Sequence, residues 1–168
     1  MQVILADHNK QIYELIKRYD PTFLFELGNP LAFEIDGVVS PANTIGIMNG
    51  GFDAILRKYF GTTLEYRVRM NLKEKPIQVG EARAIQTVHE KIKWLIVTPI
   101  VSVAGNGLSG HSTVAYTCAY NAIISAHNHG VKTLGMTGLG TGAGRLNAWE
   151  AIREQCDGIE DALSDIRE

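Results

Sequence analysis

Short apolar runs alternate with helix-period segments along the whole chain, and that alternation most limits what it can fold into. "QVILA" (2–6) is an apolar run of strand length, followed by "NKQIYELIKRY" (9–19), where Ile12, Leu15, Ile16 and Tyr19 recur at helical spacing. Asp20-Pro21 stops that helix. "TFLFEL" (22–27) and "DGVVS" (36–40) are strands, then a helix is expected over 53–60 with Gly61 as its left-handed cap, and another over 62–73. "IQVGEARAIQT" (77–87) alternates like an exposed strand with Gly80 as a turn or bulge, and "KWLIVTP" (93–99) is the best strand in the chain. A long helix over 112–129 follows, striped by Val114, Ala115, Cys118, Ala119, Ala122, Ile123 and Ala126. "VKTLGMT" (131–137) is a last strand before one or two C-terminal helices. Alternation of this kind predicts an α/β domain, helices covering both faces of a mixed sheet, with the 168 residues forming one unit, 1–168.

Composition removes several function classes. With 45% hydrophobic and 20% charged residues and a net charge of −2, no global basic field recruits nucleic acid. The N-terminal "MQVILADHNK" lacks the apolar region of a signal peptide, and "WLIVTPIVSVAG" falls short of the ~20 residues that span a bilayer. Cys118 and Cys156 are far apart and outside metal-ligand spacing, so both are expected as reduced thiols. The expectation is a cytoplasmic protein without a membrane segment.

In such sheets, ligands bind in the loops that follow the carboxyl ends of strands. Two glycine-rich segments have that position. In "SPANTIGIMNGGFDAI" (40–55), Gly50 and Gly51 let backbone N–H groups approach a ligand, and the following helix offers a positive end to an anion. "GLGTGAG" (138–144) repeats the chemistry with Gly138, Gly140, Gly142, Gly144 and the Thr141 hydroxyl. Neither segment is a Rossmann fingerprint or a P-loop. Taken singly each is explained by a tight turn; together, with Asn43 and Asp53, they suit a diphosphate bridging two sugars.

These residues carry a family resemblance. "DGVVSPAN…NGGFDAI" resembles the macro domain signature, a strand ending in N-A-A-N, a glycine triplet and V-D-G-A-I. "GEARAIQT", "KWLIVTP" and "LGMTGLGTGAG" follow in that family's order, so the resemblance spans roughly residues 22–150 and is nearest in character to the phage and bacterial branch with "SPAN" and "GLGTG". It implies a three-layer α/β/α sandwich with a mixed, mostly parallel sheet, binding ADP-ribose or an ADP-ribosylated small molecule or protein, with no cofactor. Carried over, Asn43 hydrogen-bonds the distal ribose, Gly50, Gly51 and Phe52 form the first loop, and Gly140, Thr141, Gly142, Ala143 and Gly144 the second. Asp53 lies where the hydrolytic MacroD-type branch places its catalytic aspartate, making Asn43 and Asp53 the catalytic candidates. Capping of the helix is the other role to which an Asp at this point is suited.

The chain departs from that pattern in three places. "GNP" puts Asn29 where an Asp reads adenine, and Pro30 lacks an N–H. Arg57 replaces a histidine one turn after Asp53, where it would pair with Asp53 and lower its pKa, unless it is simply solvated. Ala143 and Gly144 stand where an aromatic residue packs on the distal ribose, and a lysine–aspartate branch sharing "GRLNAW" would need an aspartate near Gly144. His111 borders the Gly/Ser loop; His127 and His129 suit a helix C-terminus, and Trp94 and Trp149 suit packing. Three functions stay open: an ADP-ribosyl or ADP-ribose-1″-phosphate hydrolase, a non-catalytic ADP-ribose reader, and an interaction domain that has lost the ligand. Oligomeric state is not legible.

Overall fold

Strand and helix faces are written into neighbouring residues of the same strand. In β1 (Gln2–Asp7), Val3 and Leu5 point into one apolar cluster while Ile4 and Ala6 point into another. The same division separates Val39 from Val38 in β3 (Gly37–Asn43), and Ile96 from Leu95 and Val97 in β5 (Trp94–Val101). A strand apolar on both faces must be covered twice. The computed structural model, which describes residues 1–102, 113–141 and 147–168, does this with helices on each side.

One layer contains α1 (Lys10–Tyr19), α4 (Val114–Asn128) and α5 (Ala148–Arg167); the opposite layer contains α2 (Gly51–Phe60) and α3 (Thr62–Glu74). Between them lies a six-stranded sheet in the order β2-β1-β6-β3-β5-β4, completed by β2 (Leu24–Leu27), β4 (Arg83–Gln86) and β6 (Thr133–Met136). Every pairing is parallel except that of the edge strand β4 with β5. This is the expected α/β/α architecture with a mixed, mostly parallel sheet. Among the described residues no helix is long and apolar enough to cross a membrane.

Several boundaries differ from the pattern reading. β3 runs on through "SPAN" to Asn43, carrying Pro41 inside it. β6 pairs with β3 only at Gly37 and Val38, so by Pro41 the strand bonds to β5 alone, which tolerates a missing N–H. The stretch 77–87 contributes a strand only over Arg83–Gln86, because Gly80 (φ +93) turns the chain and its N–H bonds the Pro99 carbonyl at 3.0 Å. Gly61 has φ +88 but ψ 167, not the left-handed cap expected; it ends α2 and begins α3 at once. The C-terminal segment is one helix of 20 residues. Cys118 and Cys156 are free and buried.

Candidate functional site

β3 and β6 separate beyond Val38, and a cleft of about 360 Å³ opens where they part. Its walls come from the carboxyl ends of four adjacent strands: Asp7 from β1, Thr137 and Gly138 after β6, Pro41 to Asn43 from β3, and Ile100 and Val101 from β5. Gly50, Gly51, Phe52 and Asp53 close one side, Gly140 and Thr141 the other. The two glycine segments therefore face the same space, as expected for strands carrying their loops at one sheet edge. Gly142, Ala143, Gly144 and His111 lie outside the described residues.

The first loop ends in a helix terminus without a cap. Gly50 is the N-cap of α2 and makes no side-chain bond, whereas Asn9 accepts from Gln11 and Ile12 N–H at the head of α1, and Asn147 accepts from Glu150 at the head of α5. The first-turn N–H groups of α2 have no intrahelical acceptor and no side-chain cap, so they are open to solvent or a ligand. Gly51 sits at φ +55, a conformation a side chain would strain.

Asp53 is not the cap. It occupies the third helical position, is 4% exposed, and accepts a 2.6 Å hydrogen bond on Oδ1 from the Ser40 hydroxyl of β3. Burial pushes the carboxyl up to about 7, opposed by the Ser40 bond and helped by the nearby Glu65 charge. The expected Asp53–Arg57 pair does not form. Arg57 Nε lies 3.5 Å from Glu65 Oε1, and Glu65 Oε2 accepts from Met48 N–H at 2.7 Å. Arg57 thus braces the 45–49 segment through Glu65, and Asp53 moves opposite to the direction such a pair would impose.

Asn43 lines the cleft but spends much of its side chain on the chain itself. Its Oδ1 accepts from Ile45, Gly46 and Ile47 N–H at 3.2, 2.8 and 3.2 Å, and Nδ2 donates to the Ile47 carbonyl at 2.9 Å. One Nδ2 hydrogen is left over. Asn43→Ala is expected to lower stability by about 1 kcal/mol, because the part-buried Gly46 and Ile47 N–H groups lose their acceptor; a shift of the urea midpoint measures it, and an unchanged midpoint would deny the turn its dependence on Asn43.

The second loop is held from two sides. Asp7 Oδ2 accepts from Gly138 N–H at 3.1 Å, while Oδ1 accepts from Asn9. Gln155 of α5, wholly buried, accepts from Leu139 N–H at 2.8 Å and donates to the Thr137 carbonyl at 2.7 Å. Asn29 is placed elsewhere: it accepts from Leu31 N–H at the head of a 3₁₀ turn (Pro30–Ala32) and does not line the cleft. Asp7, His8, Asn9 and Ile12 line it instead. Sequence reading passed over them; the available signal was three polar residues directly after a fully apolar strand. His129 and Trp94 pack on each other, and Arg18 lies over Trp149, so neither tryptophan is in the cleft lining. Among the described residues no group of His, Cys, Asp and Glu could hold a metal ion.

Residues 39–154 match the family model described as Macro domain. The chain belongs to the macro domain family. An uncharacterized protein of Aeropyrum pernix is 26% identical over 135 residues, covering 80% of this chain and 69% of its own. The macrodomain of Mycobacterium tuberculosis DarG matches in structure with TM-score 0.68 at 16% identity, over 83% of this chain and 88% of that one. The Trypanosoma brucei macrodomain in complex with ADP-ribose matches with TM-score 0.60 at 20% identity, over 80% of this chain and 56% of that one. At these identities the structural likeness is one of macro domain fold.

Proposed function

We propose that this macro domain binds ADP-ribose in the cleft and hydrolyses mono-ADP-ribosyl groups or ADP-ribose-1″-phosphate. The observation that carries the reading is the uncapped N-terminus of α2 facing Gly138, Gly140 and Thr141 across one cleft. Backbone N–H groups and a helix dipole on one side, glycines and a hydroxyl on the other, suit a diphosphate. The ADP-ribose complex of the Trypanosoma brucei macrodomain supports the same ligand.

With the diphosphate there, the distal ribose lies against Asn43, Phe52 and Asp53, and the adenosine end lies toward Asp7, His8 and Ile12. That end supplies a carboxylate acceptor for an exocyclic amino group and an aliphatic surface for a flat ring, replacing Asn29 in the role expected from "GNP". At the other end, Asp53 takes a proton from a water that attacks the ribose C1″ carbon. The bond from C1″ to the acceptor group breaks, and the acceptor leaves with the proton returned to it. In the phosphate monoester the same water attacks phosphorus, the bond from phosphorus to the C1″ oxygen breaks, and that oxygen takes the proton to leave as the 1″-hydroxyl, with inorganic phosphate as the other product. A base whose pKa lies near the working pH is suited to this.

Calorimetry with ADP-ribose is expected to give a micromolar Kd, with AMP weaker by roughly tenfold or more for lack of the second phosphate and ribose. Failure of ADP-ribose, ADP and AMP alike to bind would overturn the reading. Asp53→Ala should keep binding and lose release of ADP-ribose from a modified substrate. Wild-type binding with no product under any condition would leave a reader of ADP-ribose.

A further inference from the structure

The turn that forms one lip of the cleft has a second side. Asn43 and Ile47 face the cleft, but Ile45 between them lines a separate groove of about 430 Å³ along α3. The other lining residues are Tyr66, Arg69, Met70, Leu72 and Lys73. Residues 66, 69, 70 and 73 follow helical spacing and form one stripe, bordering at Leu72 the buried stripe Leu64, Val68, Leu72 that holds α3 on the sheet. Tyr66, Met70 and Ile45 are 65%, 45% and 40% exposed, unusual for large apolar side chains grouped at one place.

Charge tells what such a groove would take. Arg69 and Lys73 are exposed, one turn apart, and paired with no carboxylate among the described residues. No acidic residue lines the groove. The chain as a whole is net negative, and α5, across the sheet, carries Glu154, Asp157, Glu160, Asp161 and Asp165. Arg69 and Lys73 are thus cations on the rim of an apolar, concave floor whose lining holds no carboxylate. A short acidic segment with an apolar anchor fits both properties. A single-stranded nucleic acid would be served by several aromatic platforms and a continuous basic track, and here there is one ring and an aliphatic and thioether floor.

We propose that the α3 groove docks an acidic, apolar-anchored segment of a protein whose ADP-ribosylated side chain enters the cleft. This rests on the ADP-ribose reading and names its substrate class. The continuity is geometric: a chain leaving the distal-ribose end beside Asn43 and Ile47 crosses a single turn to reach Ile45, Met70 and Lys73. Two contacts on one ligand then reinforce each other through effective concentration.

The test compares Kd values, by fluorescence anisotropy, for free ADP-ribose, a synthetic Glu/Leu-containing peptide bearing a non-hydrolysable ADP-ribosyl group, the same peptide unmodified, a charge-reversed Lys version, and an ADP-ribosylated oligothymidine. The acidic conjugate is expected to bind roughly tenfold or more tightly than free ADP-ribose. That gain should shrink with added salt and vanish in an Arg69→Glu, Lys73→Glu variant, whose affinity for free ADP-ribose stays unchanged. The proposal is overturned if the conjugate binds no tighter than free ADP-ribose, if the gain survives the double variant, or if the Lys version or the oligothymidine gains as much. Should free ADP-ribose not bind, the function proposed above fails by itself. The unmodified acidic peptide then decides the groove: binding that the double variant abolishes supports it, and no binding sinks it.

Discussion

Asp53→Asn is expected to make the protein more stable at pH 8 and no more stable at pH 4. The carboxyl titrates near 7 when folded and near 3.8 as a free group, chiefly because burial removes water from the charged form. Between those values the folded protein holds a proton that the unfolded chain has released. Stability from this group is therefore greatest below about pH 4, declines as pH rises toward 7, and is flat above it. Ionised Asp53 costs about 4 kcal/mol at pH 8, and an amide that keeps the Ser40 hydrogen bond should recover about 3 kcal/mol of it. For a chain of this size that raises Tm by roughly 6–12 °C. The relevant quantity is the difference between variant and wild type at each pH, which cancels the histidines. Equal melting temperatures at pH 8 would mean that the buried carboxylate is solvated through the cleft. On the proposed function the same substitution removes the base, so stability and turnover move in opposite directions.

Gly158→Ala is expected to destabilise the protein by roughly 2–3 kcal/mol, although Ala is the better helix former by about 1 kcal/mol. Gly158 lies inside α5 where that helix crosses α4. A Cβ there would sit 2.5 Å from the Tyr116 carbonyl oxygen and 3.2 Å from the Tyr116 carbonyl carbon and Cα. Backbone atoms cannot rotate aside, so the two helices would have to move apart. Their separation is also set by Tyr116, which donates to Asp161 at 2.8 Å, and by Tyr120, which donates to Asp165 at 2.5 Å. Moving α5 also moves Gln155, and with it the start of the second loop. A fall in the urea midpoint accompanied by weaker ligand binding is the expected pair of results. A midpoint at or above wild type would show that α4 yields without loss.

Much of the fold was legible because alternation of strand and helix periods leaves few alternatives, and both glycine loops announce themselves by composition. Position within the sheet was not. Nothing in "QVILADHN" says that β1 lies between β2 and β6, so the polar run after that apolar strand could not be assigned to the cleft. Strand order depends on contacts distant in sequence, which periodicity does not encode. Arg57 and Asp53 were the right spacing for a pair, yet Glu65 on the next helix competes for the guanidinium, and only the packing of α2 on α3 brings it near. Asn43 was recognised by position, but its engagement with three N–H groups depends on the turn geometry of residues 45–47. Asn29 likewise makes a local bond, to an N–H two residues away, that the family analogy gave no sign of.

The pairing of Gln2 with Thr133 has a consequence for how the molecule is made. On the ribosome, β1 and β2 can pair with each other early, and β3, β5 and β4 can assemble with α2 and α3, all before β6 emerges. Within the sheet, β6 is the strand that joins the two groups, bonding β1 along one edge and Gly37 and Val38 along the other. The ligand cleft lies along that same join, with walls contributed by both groups. A nucleotide seated there would act as a late clasp, holding together halves that synthesis delivers separately.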